Sequence, residues 1–226
     1  MVDTPRFCPA RLAPGSLPSY AARMSSYLVR PAREVSWEDL QAVFGTRGQA
    51  SRCQCQRYKL RPRENFADQS VEERADRLRE QTGCDDPGAG TTSGLVAYLD
   101  GEPVGWCAVE PRPEFPGLRH SPVPWTGREQ DPTDGSVWAI TCVLARAHFR
   151  RQGVARALIS AAVTHARSQG AAALEAYPMT TKNAIGEELH VGTIGSYLEA
   201  GFTEVSRPTG RRAVVRLDYP TTPPAP

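Results

Sequence analysis

The sequence predicts an α/β fold in which a central mixed β-sheet is flanked by helices on both faces. Three observations predict it. Segments with strand or helix periodicity follow one another in the order β, α, α, β, β, β, α, β, α, β, β. A tight hairpin joins two central strands, and the next strand passes through a glycine-containing turn into a helix, so antiparallel and parallel neighbours must coexist. The 226 residues, 40% hydrophobic and 23% charged, suit one such core with appendages.

Tyr27, Leu28, Val29 and Arg30 form a short strand stopped by Pro31. Ser36 is the N-cap of a helix that opens Trp37-Glu38-Asp39. Residues 45–51 read as a loop. Ser70-Val71-Glu72-Glu73 is a capping box for a helix running to about Gln81, burying the narrow face Val71, Ala75 and Leu78. Residues 95–99 and 104–109 are strands joined by the Asp100-Gly101 turn. Residues 111–135 carry many prolines and no periodicity, and a loop of about 25 residues inside a domain is often functional.

Residues 137–145 form a long strand, and 154–168 a helix with Val154, Leu158, Ala161, Ala162 and His165 on one side. A strand over 172–177 ends at Pro178. After an irregular stretch at 179–188, a helix over 193–200 is closed by Gly201, and strands over 202–205 and 213–217 finish the sheet.

The domain therefore spans 27–219, between a proline-rich tail at 1–26 and another at 220–226. Met24, just before the first strand, is a candidate start. No apolar run approaches the roughly 18 residues of a membrane span. The balance of 27 basic and 25 acidic residues argues against broad electrostatic binding to nucleic acid. No secretory leader is seen, and Cys107 and Cys142 lie in apolar strands, so the six cysteines read as free thiols of a reducing cytoplasm.

The strongest chemical signal is Arg150-Arg151-Gln152-Gly153-Val154-Ala155, between a strand and a helix. Backbone N–H groups at a helix start have no internal partner and form an anion site. Gly153 permits close approach of a phosphate, and the arginines add charge. Neither a Walker loop nor a Rossmann glycine motif is present.

Arg150-x-x-Gly153-x-Ala155, with its preceding strand and following helix, resembles the signature of the GNAT superfamily of N-acetyltransferases. Tyr197-Leu198-Glu199-Ala200-Gly201-Phe202 resembles that family's Tyr-x-x-x-Gly-Phe. The resemblance covers roughly 27–219. It implies the GNAT fold, with acetyl-coenzyme A (acetyl-CoA) as co-substrate and its pyrophosphate on the backbone of 150–155. The pantetheine arm would lie along Val143, Leu144 and Ala145, at a splay made by a bulge. The implied reaction is direct attack of a primary amine on the thioester, with Tyr197 as the acid that protonates the leaving thiolate. Packing of the last helix is the competing role for Tyr197. Homodimers are common in the family.

Two departures concern the acceptor side. His190 stands where many members have asparagine, seven residues before the tyrosine, and the 179–188 stretch is longer than usual. The candidate bases are Glu110, Glu175 and His190, with Asp134 and His120 behind them. Cys53-x-Cys55 lacks companion ligands for a metal site, so no metal is expected. Cys53, Cys55 and Tyr58 are instead candidates for the acceptor wall, with simple packing as the competing role. Trp125 is a candidate lid from the proline-rich loop. A bacterial subgroup resembles this chain in its Cys-x-Cys and in Glu175-Ala176-Tyr177-Pro178. The acceptor expected is a small-molecule amine such as an antibiotic, a polyamine or an amino-acid derivative. The alternatives are a protein or peptide acceptor, or an acyl-CoA sensor without turnover.

Overall fold

The computed structural model describes residues 27–220 apart from 91, 182, 186 and 187. The tails expected at 1–26 and 220–226 lie outside the described residues, Pro220 excepted. In chain order the elements are β1 (Tyr27–Pro31), α1 (Trp37–Phe44), α2 (Gly48–Cys53), α3 (Val71–Thr82), β2 (Gly94–Leu99) and β3 (Glu102–Pro111). Then come β4 (Val137–Ala145), α4 (Val154–Ser168), β5 (Ala173–Ala176), α5 (Ile194–Glu199), β6 (Thr203–Thr209) and β7 (Arg212–Asp218). The strands form one sheet in the order β1-β2-β3-β4-β5-β7-β6. β4 and β5 are parallel, and every other neighbouring pair is antiparallel.

Both faces of the sheet are covered, and the alternation of side chains decides which residue goes where. Leu95, Ala97, Cys107 and Val109 face one layer with Val154, Leu158, Ile159 and Ala162 of α4. Their neighbours Val96, Trp106 and Ala108 face the other layer with Leu40, Val43 and Phe44 of α1 and Leu78 of α3. Each of these large apolar side chains contributes about 1.5–3 kcal/mol through burial. Gly105 lets α4 lie close: a Cβ there would sit 2.4 Å from Val154 and 2.9 Å from Leu158.

The Ser36 cap and the Ser70 capping box form as expected. Three expectations change. Residues 48–53, which overlap the loop expected at 45–51, form α2, a polar helix whose lack of an apolar stripe hid it. The buried face of α3 is Arg74, Leu78 and Thr82 instead of Val71, Ala75 and Leu78. Arg74 is admitted because it donates to the carbonyls of Arg52, Phe66 and Gln69 and stacks over the Phe66 ring. The 111–135 segment is built around two short 3-10 turns and buries Arg112, Phe115 and Leu118.

The feature that creates a site is the parting of β4 from β5. Their pairing runs from Val137 to Ile140, whereas β4 continues beside β3 to Ala145. Between Ala108 and Val109 the register against β3 slips, leaving Thr141 as the extra residue of a bulge. Residues 141–145 thus present a strand edge that β5 does not cover.

Candidate active site

Below that edge, β4 leads through a 3-10 turn at Ala147–Phe149 into the turn before α4. Arg151 has φ of 59° and Gly153, the N-cap of α4, has φ of 100°. Glycine tolerates this conformation without strain. The turn is braced from behind: the Tyr27 hydroxyl donates to the Gln152 carbonyl at 2.9 Å, and the Gln152 side chain donates to the His148 carbonyl at 2.9 Å. No side chain caps α4. The N–H groups of its first turn, which helix geometry leaves without internal partners, are therefore available to an anion. These residues fit a diphosphate.

A cavity of 1420 Å³ extends from this turn along the β4 edge. At one end it is lined by Arg150, Arg151, Gly153, Val154 and Ala155, and along the strand by Val143, Leu144 and Ala145. At the other end stand Cys53, Cys55, Tyr58 and His190. The fold thus brings together most of the expected cofactor residues and all three expected wall residues of the 53–58 segment. Gln152 belongs to the turn but is outside the lining, because its side chain folds back onto His148.

The wall at Cys55 is unusual in its backbone and in its chemistry. Gln54 and Cys55 both adopt the left-handed region, with φ of 47° and 55°. This costs about 1–2 kcal/mol for each non-glycine residue. Buried glutamines hold the turn: Gln54 exchanges hydrogen bonds with Gln41, and Gln56 donates to Gln81 at 2.8 Å. The result turns Cys55 toward the sheet. Its thiol is hydrogen-bonded by Cys142 and then by the Trp106 indole N–H at 3.3 Å, which together hold it below the ordinary thiol range despite burial. Cys142 is pushed up by the same contact and by burial. His190 lies beside Tyr58, with ring centroids 6.5 Å apart.

Four other expected residues stand outside the lining. Tyr197 is fully buried, its hydroxyl donates to the Val191 carbonyl at 3.0 Å, and burial pushes its phenol well up. It lies one layer behind Gly192, where a Cβ would sit 2.9 Å from the Tyr197 ring. Glu110 is buried in an ion pair with Lys59; burial raises its carboxyl and Lys59 opposes the rise. Glu175, at 0% exposure, meets Arg128 at 2.5 Å, Arg216 at 2.9 Å and Arg112 at 3.3 Å. Burial would raise its carboxyl, but the three guanidinium groups hold it below the usual range. Trp125 donates to the Leu118 carbonyl at 2.8 Å and packs under the Arg112 guanidinium. The proline-rich loop is thus pinned to β5 through Glu175, and none of its residues lines the cavity.

Of the two lesser candidates, Asp134 caps the turn at Ser136, and His120 borders a separate hollow of 410 Å³ beside Arg57.

Several lining residues escaped sequence reasoning: Arg47, Arg52, Arg57, Thr141, Cys142 and Gly192. Arg57 lay inside the Cys53-to-Tyr58 run already singled out, so its neighbours were a usable signal. Thr141 gave none, because a bulge depends on the partner strand. Seven arginines and two histidines line the cavity, and among the described residues none of the lining is Asp or Glu. Among the described residues no group of three or more His, Cys, Asp or Glu side chains could hold a metal, and no helix is long and apolar enough to cross a membrane.

The sequence profile of the family described as "Acetyltransferase (GNAT) family" matches residues 55–190, more than half of the chain. Similar solved structures include an N-acetyltransferase from Staphylococcus aureus Mu50, with 14% identity and TM-score 0.49, covering 85% of this chain and 98% of that one. The PaiA N-acetyltransferase from Thermoplasma acidophilum, in complex with coenzyme A, has 14% identity and TM-score 0.45 over 86% and 99% of the two chains. The ribosomal-protein-S18-alanine N-acetyltransferase from Escherichia coli has 14% identity and TM-score 0.47 over 88% and 97%. No curated protein matches the chain.

Proposed function

The chain belongs to the GNAT acetyltransferase family, and from that premise we propose that it transfers an acetyl group from acetyl-CoA to the primary amine of a small molecule by direct attack. The observation that carries this reading is the single cavity running from the α4 turn along the uncovered edge of β4 to Cys55, Tyr58 and His190. The diphosphate would sit on the 150–155 backbone. The pantetheine would follow Val143, Leu144 and Ala145. The acceptor would enter between the 52–58 segment and the Glu188–Val191 turn, whose Leu189 and His190 close the opposite wall.

In the reaction the amine lone pair attacks the thioester carbonyl carbon. The C–N bond forms, the C–S bond breaks with its electron pair on sulfur, and the ammonium loses a proton. His190 is the candidate base in the lining, and an imidazole titrates in the range where this transfer works. Glu110 and Glu175 are held by Lys59 and by three arginines, and their role is structural. The leaving thiolate has an intrinsic pKa of about 8.5, and a cationic cavity favours the anion further, so departure needs no phenol. Tyr197 then serves to hold the Val191 turn. Cys53 and Cys55 shape the acceptor wall. The described cysteines are free thiols, which supports a reducing, cytoplasmic setting.

The test is thiol release from acetyl-CoA across an amine panel, with wild-type protein and His190→Gln. Turnover is expected to fall by about 10²-fold near neutral pH in the variant. It should recover as pH rises, because more of the amine is then neutral without a base. An unchanged rate and pH profile would remove His190 from this role. Absence of thiol release with every amine, despite acetyl-CoA binding, would favour a sensor.

A further inference from the structure

We infer that the acceptor is an amine carrying an oxyanion, a carboxylate or a phosphate, which Arg57 and Arg52 receive at the end of the cavity away from α4. The inference rests on the acetyl-transfer reading above and adds the substrate class to it.

Charge distinguishes the two ends of the cavity. Among the described residues the lining holds seven arginines and no carboxylate. Arg146 pairs with Glu102 and Arg156 with Glu199, both near the α4 turn. Arg150 and Arg151 belong to the diphosphate end. Arg47, Arg52 and Arg57 remain, and none of the three has an ion pair among the described residues. The donor's phosphates do not account for them. The uncovered edge of β4 runs from Cys142, which touches Cys55, to Ala145, which leads to the phosphate turn, so the 52–58 segment faces the opposite end of that edge.

Arg57 also borders the neighbouring 410 Å³ hollow, together with Arg61, Arg63 and His120. Its carboxylate, Glu64, is already engaged by the two terminal guanidinium nitrogens of Arg77, at 2.8 and 2.9 Å. A positive surface therefore continues outward from the cavity past Arg57. Guanidinium groups bind carboxylate and phosphate in a planar, two-point manner.

The arginines also act on the nucleophile. Nearby cations disfavour the ammonium form and increase the neutral amine fraction. A polycationic acceptor would gain nothing here, since each further ammonium needs a carboxylate. The nearby acids Glu110 and Glu175 are committed to Lys59 and to three arginines. The same cavity that repels a polyamine selects an amine whose own negative charge offsets the arginines.

Four probes of similar reach test this with the full-length protein: β-alanine, O-phosphoethanolamine, propylamine and spermidine. Two quantities are read: kcat/KM for thiol release from acetyl-CoA, and the shift in Tm with coenzyme A present. At least one anionic probe should exceed propylamine by about tenfold or more, as expected for a charge-assisted contact. Spermidine should not exceed propylamine. The better anion tells whether carboxylate or phosphate is the group recognised. Arg57→Gln should bring the anionic-to-neutral ratio toward one. Propylamine or spermidine equalling both anions in rate would overturn the inference. Where no probe turns over, the absence of any added Tm shift from either anion overturns it too. Failure of acetyl-CoA itself to raise Tm is a separate result that removes the underlying reading of the cavity.

Discussion

The Tyr197 hydroxyl donates to the Val191 carbonyl at 3.0 Å, directly behind Gly192. Gly192 has φ of 75° and lines the cavity, while Tyr197 is fully buried. The tyrosine of the family-like motif is thus spent on fixing a turn of the cavity wall. Tyr197→Phe should cost about 1–3 kcal/mol, because a buried carbonyl loses its partner. Turnover of the folded variant should stay within a few-fold of wild type. Denaturant unfolding and thiol-release rates check both. A loss of about 100-fold in kcat at unchanged stability would make Tyr197 the acid after all.

Glu175 ties β5, β7 and the 111–135 loop together through Arg112, Arg128 and Arg216. Glu175→Gln leaves Arg112, itself 1% exposed, as an uncompensated buried charge. Breaking such a pair costs about 3–5 kcal/mol. The pH dependence follows from the depressed carboxyl. A lowered folded pKa gives stability that is complete above the ordinary value of 4.5 and is lost as pH falls below it toward the folded value. Unfolding curves from pH 7 down to about 2.5 should show a steeper decline below 4.5 for wild type than for Glu175→Gln. Parallel declines would mean that Glu175 is not the group responsible.

Cys55 should be the fastest of the described thiols to react. Cys142 and the Trp106 N–H lower it, whereas burial raises Cys53, Cys84 and Cys107, and Cys142 rises by its contact with Cys55. Iodoacetamide at pH 7 followed by peptide mass mapping should label Cys55 first, with acetyl-CoA slowing the reaction. Preferential labelling of Cys53 would contradict the thiol geometry described here.

Much of the scaffold was legible because local patterns and tertiary structure agree. The Ser36 cap, the Ser70 box, the Asp100-Gly101 turn and the 154–168 helix all specify themselves within a few residues. The α4 turn was legible for the same reason: Arg150, Gly153 and Ala155 fall within one run of six residues. The acceptor side was not. Whether Glu110 or Glu175 faces a cavity depends on Lys59 and on Arg112, Arg128 and Arg216, which lie 41–63 residues from Glu175 and 51 from Glu110 in the chain. The polar helix α2 carries no apolar stripe, and Trp125 is turned inward by the Leu118 carbonyl. Nothing local encodes those partners.

In the function proposed above, the α4 turn and the uncovered edge of β4 form one acetyl-CoA site. Calorimetric titration of acetyl-CoA into wild type and Gly153→Glu is the decisive measurement. Gly153 has φ of 100°, and a glutamate there would both strain the turn and place negative charge among the N–H groups meant for phosphate. A single site in wild type, weakened by about tenfold or more in a variant that retains its fold by circular dichroism, is the expected result. Equal affinity in the two proteins would mean that acetyl-CoA does not bind at the α4 turn.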